Sequence, residues 1–312
     1  MCLLQGDPVE SYHLLQDTLN ERNYFLQAAP YLIEELPLLI PSKSLFWTLF
    51  WYFPGSLGYH LIYLKERMKS KFEVSISGPR IVSQSQLASE FTGLKQLHGQ
   101  YGSVMSETQM SDSRMNLQAL FTSSIDDYIP GMKGATLANY VEMKDFIKDD
   151  NGKITGAMCV DKENNTSFKV NAKVVVNCAG VHADEIRIMD DGNVERRIVP
   201  SRGTHLIFKK GIFTGTQGMI VPETTDGRLL FVINYYGHPM VGTTDEFCDA
   251  SHNVEPSQEE IDFICKEIKP FLGEDYDFKN NLLSAWAGLR PLVKESSKDK
   301  KADSGEAKSG LS

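Results

Sequence analysis

Several patterns that would make a function class easy to defend are missing from this sequence. Its five cysteines (Cys2, Cys159, Cys178, Cys248 and Cys265) are odd in number, widely spaced and include no Cys-x-x-Cys pair. Neither a zinc site nor a disulfide framework follows, so free thiols in a reducing compartment are expected. Positive charge is scarce too: 32 Lys and Arg against 41 Asp and Glu leave a net charge of -9. That balance excludes binding to a phosphate backbone as the main task. No internal repeat is visible, and the N-terminus reads as a helix start at Asp7-Pro8 rather than as a signal or transit peptide. No Gly-x-Gly-x-x-Gly turn occurs anywhere in the chain.

What is present is a chain of 312 residues, 41% hydrophobic and 23% charged, which is enough to bury a large core in two domains. Residues 8–29 carry a helical stripe through Tyr12, Leu15, Leu19 and Leu26, broken at Pro30. A short helical stretch is expected from Tyr31, cut at Pro37. Residues 44–64 stand out as 21 positions without a formal charge, dense in Phe, Trp, Tyr and Leu. Interrupted by Pro54-Gly55 and Gly58, they suit a membrane interface or a pair of core helices better than a lipid-spanning helix. Further helices are expected at 85–97, from Asp112 to about residue 124, and at 257–271. The last opens with a capping box, Glu260 standing three residues after Ser257.

Short strands are expected at 134–143, 154–160 and 167–170. A second group, antiparallel in character, falls at 198–208, 218–222, 228–234, 239–242 and 282–289, the last ending at Arg290-Pro291. Asp226-Gly227 and Tyr236-Gly237-His238 serve as turns. Between the groups lies Lys-Val-Val-Val-Asn-Cys-Ala-Gly-Val-His-Ala-Asp, residues 173–184. Three β-branched residues in an apolar run read as a buried strand ending in small residues, the place where α/β sheets bind ligands. From Glu295 the tail is almost free of apolar residues, and disorder is expected there. The order of elements describes a nucleotide-binding fold interleaved with an α+β substrate domain.

With the segments in order, the chain resembles the FAD-dependent, respiratory, quinone-linked glycerol-3-phosphate dehydrogenases. The resemblance rests on Asp112-Ser113-Arg114-Met115-Asn116, residues 134–142, 174–184, Arg202-Gly203-Thr204-His205, 226–231, Gly242-Thr243-Thr244-Asp245 and Gly288-Leu289-Arg290-Pro291-Leu292. The fold it implies is α/β plus α+β: a partial FAD-binding domain, glutathione-reductase-like or amino-acid-oxidase-like, interleaved with an antiparallel-sheet substrate domain. The corresponding boundaries are 1–105 (mainly helical, with a membrane-associated stretch at 44–64), 106–186 (FAD-domain remnant), 187–292 (substrate domain) and 293–312 (disordered tail). Because the family's glycine-rich FAD turn and its return to the FAD domain after Arg290 are not found, an internal fragment is expected.

The resemblance implies oxidation of sn-glycerol 3-phosphate to dihydroxyacetone phosphate with FAD as cofactor. Electrons then pass to a quinone, at a mitochondrial inner-membrane surface, with homo-oligomer formation left open. His205 is the candidate base for the substrate hydroxyl; the alternative is an imidazole that merely bonds a backbone carbonyl from a strand. Arg290, also placed in the catalytic set, offers a guanidinium fork for the phosphate; a surface salt bridge is its alternative. Thr243 and Thr244 are candidate substrate hydroxyls or packed strand-end threonines. Val141, Glu142, Cys178, Ala179 and Gly180 are the candidate flavin contacts, and no metal is expected. His182 stands where the family more often has an aromatic residue. Two further readings stay open: a related amine or amino-acid oxidase, and a non-catalytic binding module.

Overall fold

The computed structural model describes residues 8–91, 94, 100–211, 217–222 and 224–294. The Asp7 cap, most of the expected helix beyond residue 91 and the polar tail from residue 295 lie outside the described residues. The chain forms two compact units: residues 1–119, 204–244 and 256–286 in the first, 120–203, 245–255 and 287–312 in the second. The boundaries expected from sequence follow composition along the chain, whereas each unit gathers three separate stretches.

In the first unit, α1 (Pro8–Ala28) buries Leu19 against Tyr63 and Ile76, with Leu15 and Leu26 packed around them. The expected helix from Tyr31 is instead a strand, β1 (Ile33–Ser42). It buries Ile33, Leu36, Leu38 and Leu39, a pattern that a helix cut at Pro37 would be too short to satisfy. Pro37 and Pro41, four residues apart, turn toward the same edge of β1. The antiparallel ladder to β3 (Tyr101–Met110) runs unbroken from Ile33 to Ser42, and only the parallel ladder to β8 (Gly218–Val221) is curtailed, to Leu38 and Leu39. Missing proline donors are tolerated where pairing is already short.

Residues 45–70 are helical throughout: α2 (Leu45–Trp47), a π-turn (Thr48–Tyr52) and α3 (Phe53–Ser70). The expected break at Pro54-Gly55 does not occur: Pro54 follows closely on the π-turn, whose widened backbone carries the helix past a residue with no N–H to donate. Hydroxyls of Thr48 and Ser56 donate to the carbonyls of Ser44 and Tyr52, at 3.1 and 2.9 Å, beside the widened turn. Phe46, Trp47, Phe50 and Trp51 are all more than half exposed. No described helix is long and apolar enough to cross a membrane.

The main sheet orders β7 (Ile198–Phe208), β10 (His238–Gly242), β9 (Leu230–Tyr235), β8, β1, β3 and β2 (Arg80–Val82), all antiparallel neighbours except β1 and β8. Its core joins Leu39, Val104, Leu206, Phe208, Val232 and Val241 to Ile264 and Ile268 of α7 (Gln258–Leu272) and Leu87 of α4 (Gln84–Glu90). The capping box at Ser257 and Glu260 forms as expected. Tyr236 and Gly237 both take positive φ, 52° and 83°, in the two-residue turn between β9 and β10.

After α5 (Asp112–Ser123), the second unit holds a meander, β4 (Val141–Lys148), β5 (Ile154–Asp161) and β6 (Thr166–Asn171), with α6 (Ala183–Asp190) further on. The strand expected from residue 134 begins only at Val141. In the same unit, β11 (Glu246–Phe247) pairs with Ser201 and Arg202. The strand β12 (Leu282–Val293) passes through Arg290-Pro291 rather than ending there.

The largest departure concerns residues 173–179. They form no strand, and Val174 and Val176 are each 75% exposed. Valine content favours extended backbone. A strand, however, is defined by a neighbour, and none among the described residues pairs with it.

Candidate active site

His205 lies on β7 in register with Gly242 of β10. A Cβ added at Gly242 would stand 2.4 Å from His205 Cδ2 and 2.9 Å from Cγ and Nε2, so only glycine admits the imidazole here. The same ring stacks on Trp286 of β12, centroids 4.4 Å apart and planes 10° from parallel. Backbone and indole together give the half-buried imidazole a defined plane.

The next residues show two different fates. The Thr243 hydroxyl is partly buried and donates to the Thr244 carbonyl at 3.1 Å. Thr244 is 1% exposed; its hydroxyl donates to Glu260 Oε1 at 2.6 Å, and its oxygen accepts the Thr204 N–H at 2.8 Å. Glu260 Oε2 in turn accepts the Ser257 N–H. The Thr244 hydroxyl is directed into the unit, as in the packed strand-end alternative, and ties the residue before His205 to the cap of α7. Glu260, read from sequence only as a capping residue, also holds Thr244, and Gly242 and Trp286 went unread as partners of His205. A glycine among β-branched strand residues is the one signal that pointed there.

In the second unit, Arg290 Nη1 lies 3.4 Å from Asp245 Oδ1, and the Ser201 hydroxyl also donates to that oxygen in a short hydrogen bond. Both charged side chains are more than one third exposed. Arg290 is thus a solvent-reaching guanidinium oriented by a carboxylate that a buried serine holds.

The expected flavin contacts also fall in the second unit. Val141 opens β4, and the neighbouring Glu142 carboxylate accepts from Lys144 Nζ at 2.6 Å and Lys162 Nζ at 2.8 Å. Hydrogen bonds from these two lysines hold its pKa down to about 2. Cys178 and Ala179 are exposed. Gly180 has φ of +55° with open space where a Cβ would be. The Asn177 side chain brackets the turn, its Oδ1 accepting the Ala179 N–H at 3.1 Å and its Nδ2 donating to the Ala183 carbonyl at 2.9 Å. Beyond it, His182 stacks on His252 at 4.3 Å and meets Glu185 at 2.9 Å. Buried Asp184 pins α6 to the start of β7. Burial opposes its ionisation, but the Ile198 and Arg197 N–H groups and the Arg187 guanidinium outweigh that cost and lower its pKa.

These residues fit FAD in part. An exposed segment ending in a positive-φ glycine with open space beside it allows close approach along one side of a flat cofactor. A pyrophosphate needs a cluster of backbone N–H groups at a glycine-rich turn, and the sequence contains no such turn. Among the described residues no group of His, Cys, Asp or Glu is arranged to hold a metal ion.

The topology is that of flavin-dependent oxidoreductases. The glycerol-3-phosphate dehydrogenase of Bacillus halodurans complexed with FAD superposes with a TM-score of 0.68 over 88% of this chain and 47% of that one, at 24% identity. The L-α-glycerophosphate oxidase of Mycoplasma pneumoniae with FAD bound gives a TM-score of 0.59 over 90% and 69%, at 16% identity. The chain belongs to the FAD dependent oxidoreductase (DAO) family, which it matches over residues 54–309. It is 32% identical over 291 residues to the mitochondrial glycerol-3-phosphate dehydrogenase of Mus musculus and 30% identical over 292 residues to the probable mitochondrial enzyme of Caenorhabditis elegans. The chain spans 38% of the length of either relative.

Proposed function

We propose that this chain carries the substrate-handling part of an FAD-dependent glycerol-3-phosphate dehydrogenase, which oxidises sn-glycerol 3-phosphate to dihydroxyacetone phosphate and passes the electrons to a quinone. The observation that carries the reading is the 32% identity to the mouse enzyme across 91% of this chain. His205 takes the proton of the substrate C2 hydroxyl, its ring held in plane by Trp286 and the bare backbone of Gly242. Such a base needs an imidazole neutral near physiological pH and fixed in orientation. FAD, when bound, supplies the hydride acceptor. Arg290 holds the phosphate through paired guanidinium donors, with Asp245 orienting it. Thr243 contributes a hydroxyl, and Thr244 acts only by fixing the backbone beside His205. Val141, Glu142 and residues 178–180 lie along one side of the cofactor.

A mitochondrial setting accompanies this reading, as in the names of the relatives, and an inner-membrane surface is part of the same proposal. The exposed aromatic surface of residues 45–51 is the part proposed to rest on the membrane. The test is turnover of glycerol 3-phosphate, against amino-acid substrates, by this chain extended at both ends with the flanking segments of the mouse relative. Arg290→Ala is expected to lose one charge-assisted contact, about 2 kcal/mol, and so to raise KM about 30-fold. Arg290→Lys is expected to recover only part of the loss. Turnover of amino acids but not of glycerol 3-phosphate would overturn the substrate assignment, and an unchanged KM in both variants would overturn the role of Arg290.

A further inference from the structure

The turn between β4 and β5 is organised around Asp149. Its carbonyl accepts the Gly152 N–H at 2.9 Å, closing a β-turn, and its own N–H donates to the Lys153 carbonyl at 2.9 Å. Its carboxylate Oδ1 accepts the Asn151 N–H at 2.9 Å and the Lys153 N–H at 3.0 Å. Gly152 takes a φ of +78°, with no atom within 4 Å of where a Cβ would stand. Asn151, immediately before it, is exposed, and its side-chain amide bonds no described residue. The turn amides of Asn164, Asn193 and Asn280, by contrast, are each tied to an aspartate of their own turn, Asp161, Asp191 and Asp277. Asn151 is also the only asparagine in the chain that precedes a glycine.

We propose that Asn151 is a modification site, converted without an enzyme to aspartate and isoaspartate, and that Asp149 is the latch that sets its rate. The Gly152 backbone nitrogen, having given its proton to solvent base, attacks Asn151 Cγ. A C–N bond forms, Asn151 Nδ2 leaves as ammonia, and a cyclic imide joins the two residues. Water then opens that ring at either carbonyl, giving aspartate or isoaspartate with no change of oxidation state. A following glycine leaves the attacking nitrogen clear of side-chain bulk. In the closed turn, however, that nitrogen is engaged, its N–H directed at the Asp149 carbonyl. The reaction therefore runs through the opened turn, and opening requires release of the bonds to Asp149. Isoaspartate also lengthens the main chain by a methylene. The register that sets Glu142 opposite Val160 is fixed by the length of this loop, so the modification disturbs it. The proposal does not depend on which substrate or cofactor the enzyme uses.

The experiment incubates the chain at neutral pH and follows every asparagine by peptide mapping and mass spectrometry. Asn151 is expected to convert first, and more slowly than in the same chain unfolded in guanidinium chloride. Asp149→Ala removes both side-chain bonds and should speed conversion about fivefold or more. Asp149→Asn keeps an acceptor oxygen and should hold the rate near that of the parent. Earlier conversion of another asparagine, or no conversion of Asn151 in the parent and in Asp149→Ala, overturns the site. Equal rates in the parent and in Asp149→Ala overturn the latch. Should Asp149→Ala unfold outright, the Asp149→Asn chain decides: a rate near the parent's supports the latch, and the denatured rate overturns it. The isoaspartate form, separated by anion exchange, should exchange the amide hydrogens of β4 and β5 faster than the parent. Unchanged exchange there overturns the effect on the register.

Discussion

Gly242→Ala is the substitution whose consequence the structure defines most sharply. The added methyl would stand 2.4 Å from His205 Cδ2 and 2.9 Å from two further ring atoms. Ordinary carbon contacts begin about 1 Å further out, in the range of roughly 3.5–4.0 Å. The methyl cannot retreat, because β10 is paired on both sides, with β7 and with β9. The ring must therefore move, and doing so breaks a stack with Trp286 whose planes are only 10° from parallel. Overpacking of this kind costs about 1–3 kcal/mol, and the lost ring contact adds about 0.5–1.5 kcal/mol. The chain is expected to unfold at a lower denaturant midpoint with an unchanged slope. In a background where the exposed Trp47 and Trp51 are replaced by Phe, leaving Trp286 as the remaining tryptophan, its emission should shift. Adding His205→Ala should recover most of the stability lost, giving a large coupling in the double-mutant cycle. Gly58→Ala, in α3 with no atom within 4 Å, is the counter-case and should stabilise by about 0.5–1 kcal/mol. Unchanged stability and emission in Gly242→Ala would refute the claim that glycine is required for the His205 ring.

Thr244→Val should cost about 1–3 kcal/mol in the midpoint of chemical unfolding, because it strands the Thr204 N–H and a Glu260 oxygen inside the unit; Thr244→Ser should restore most of it. Asp226 has its pKa lowered from 3.8 to about 2: burial opposes ionisation, but hydrogen bonds from Arg228 and Thr224 prevail. A depressed carboxyl stabilises above its unfolded value, so its contribution is present above pH 3.8 and drains away as pH falls through about 2. Asp226→Asn should accordingly flatten the dependence of unfolding on pH across that window, and an unaltered profile would show the carboxylate to be inert. Trp47→Glu with Phe50→Glu, both at exposed positions, should abolish flotation with liposomes, whereas high salt should leave binding by the parent chain intact. Release of the parent chain by salt would point to charge as the attachment.

Much of the antiparallel sheet was legible because its signals are local. A turn dipeptide such as Asp226-Gly227, a capping box at Ser257 and Glu260, and β-branched alternation through residues 198–208 each act within a few residues. The family was legible for a different reason: seven short segments in a fixed order are together specific, although none suffices alone.

Tertiary structure decided the rest. Residues 31–42 hold two prolines and read as a broken helix, yet the sheet makes them a strand, because β3 lies in register with every residue from Ile33 to Ser42 while β8 pairs only at Leu38 and Leu39. Three valines in a row predict a buried strand, but burial and pairing belong to the neighbour, and residues 174–176 have none among those described. Likewise Thr244 carries the same hydroxyl as Thr243, and nothing in its spacing tells that its proton is directed at Glu260. Composition fixes which groups a residue can offer. Only the positions of distant partners, Glu260 for Thr244 and Trp286 for His205, fix where those groups are spent.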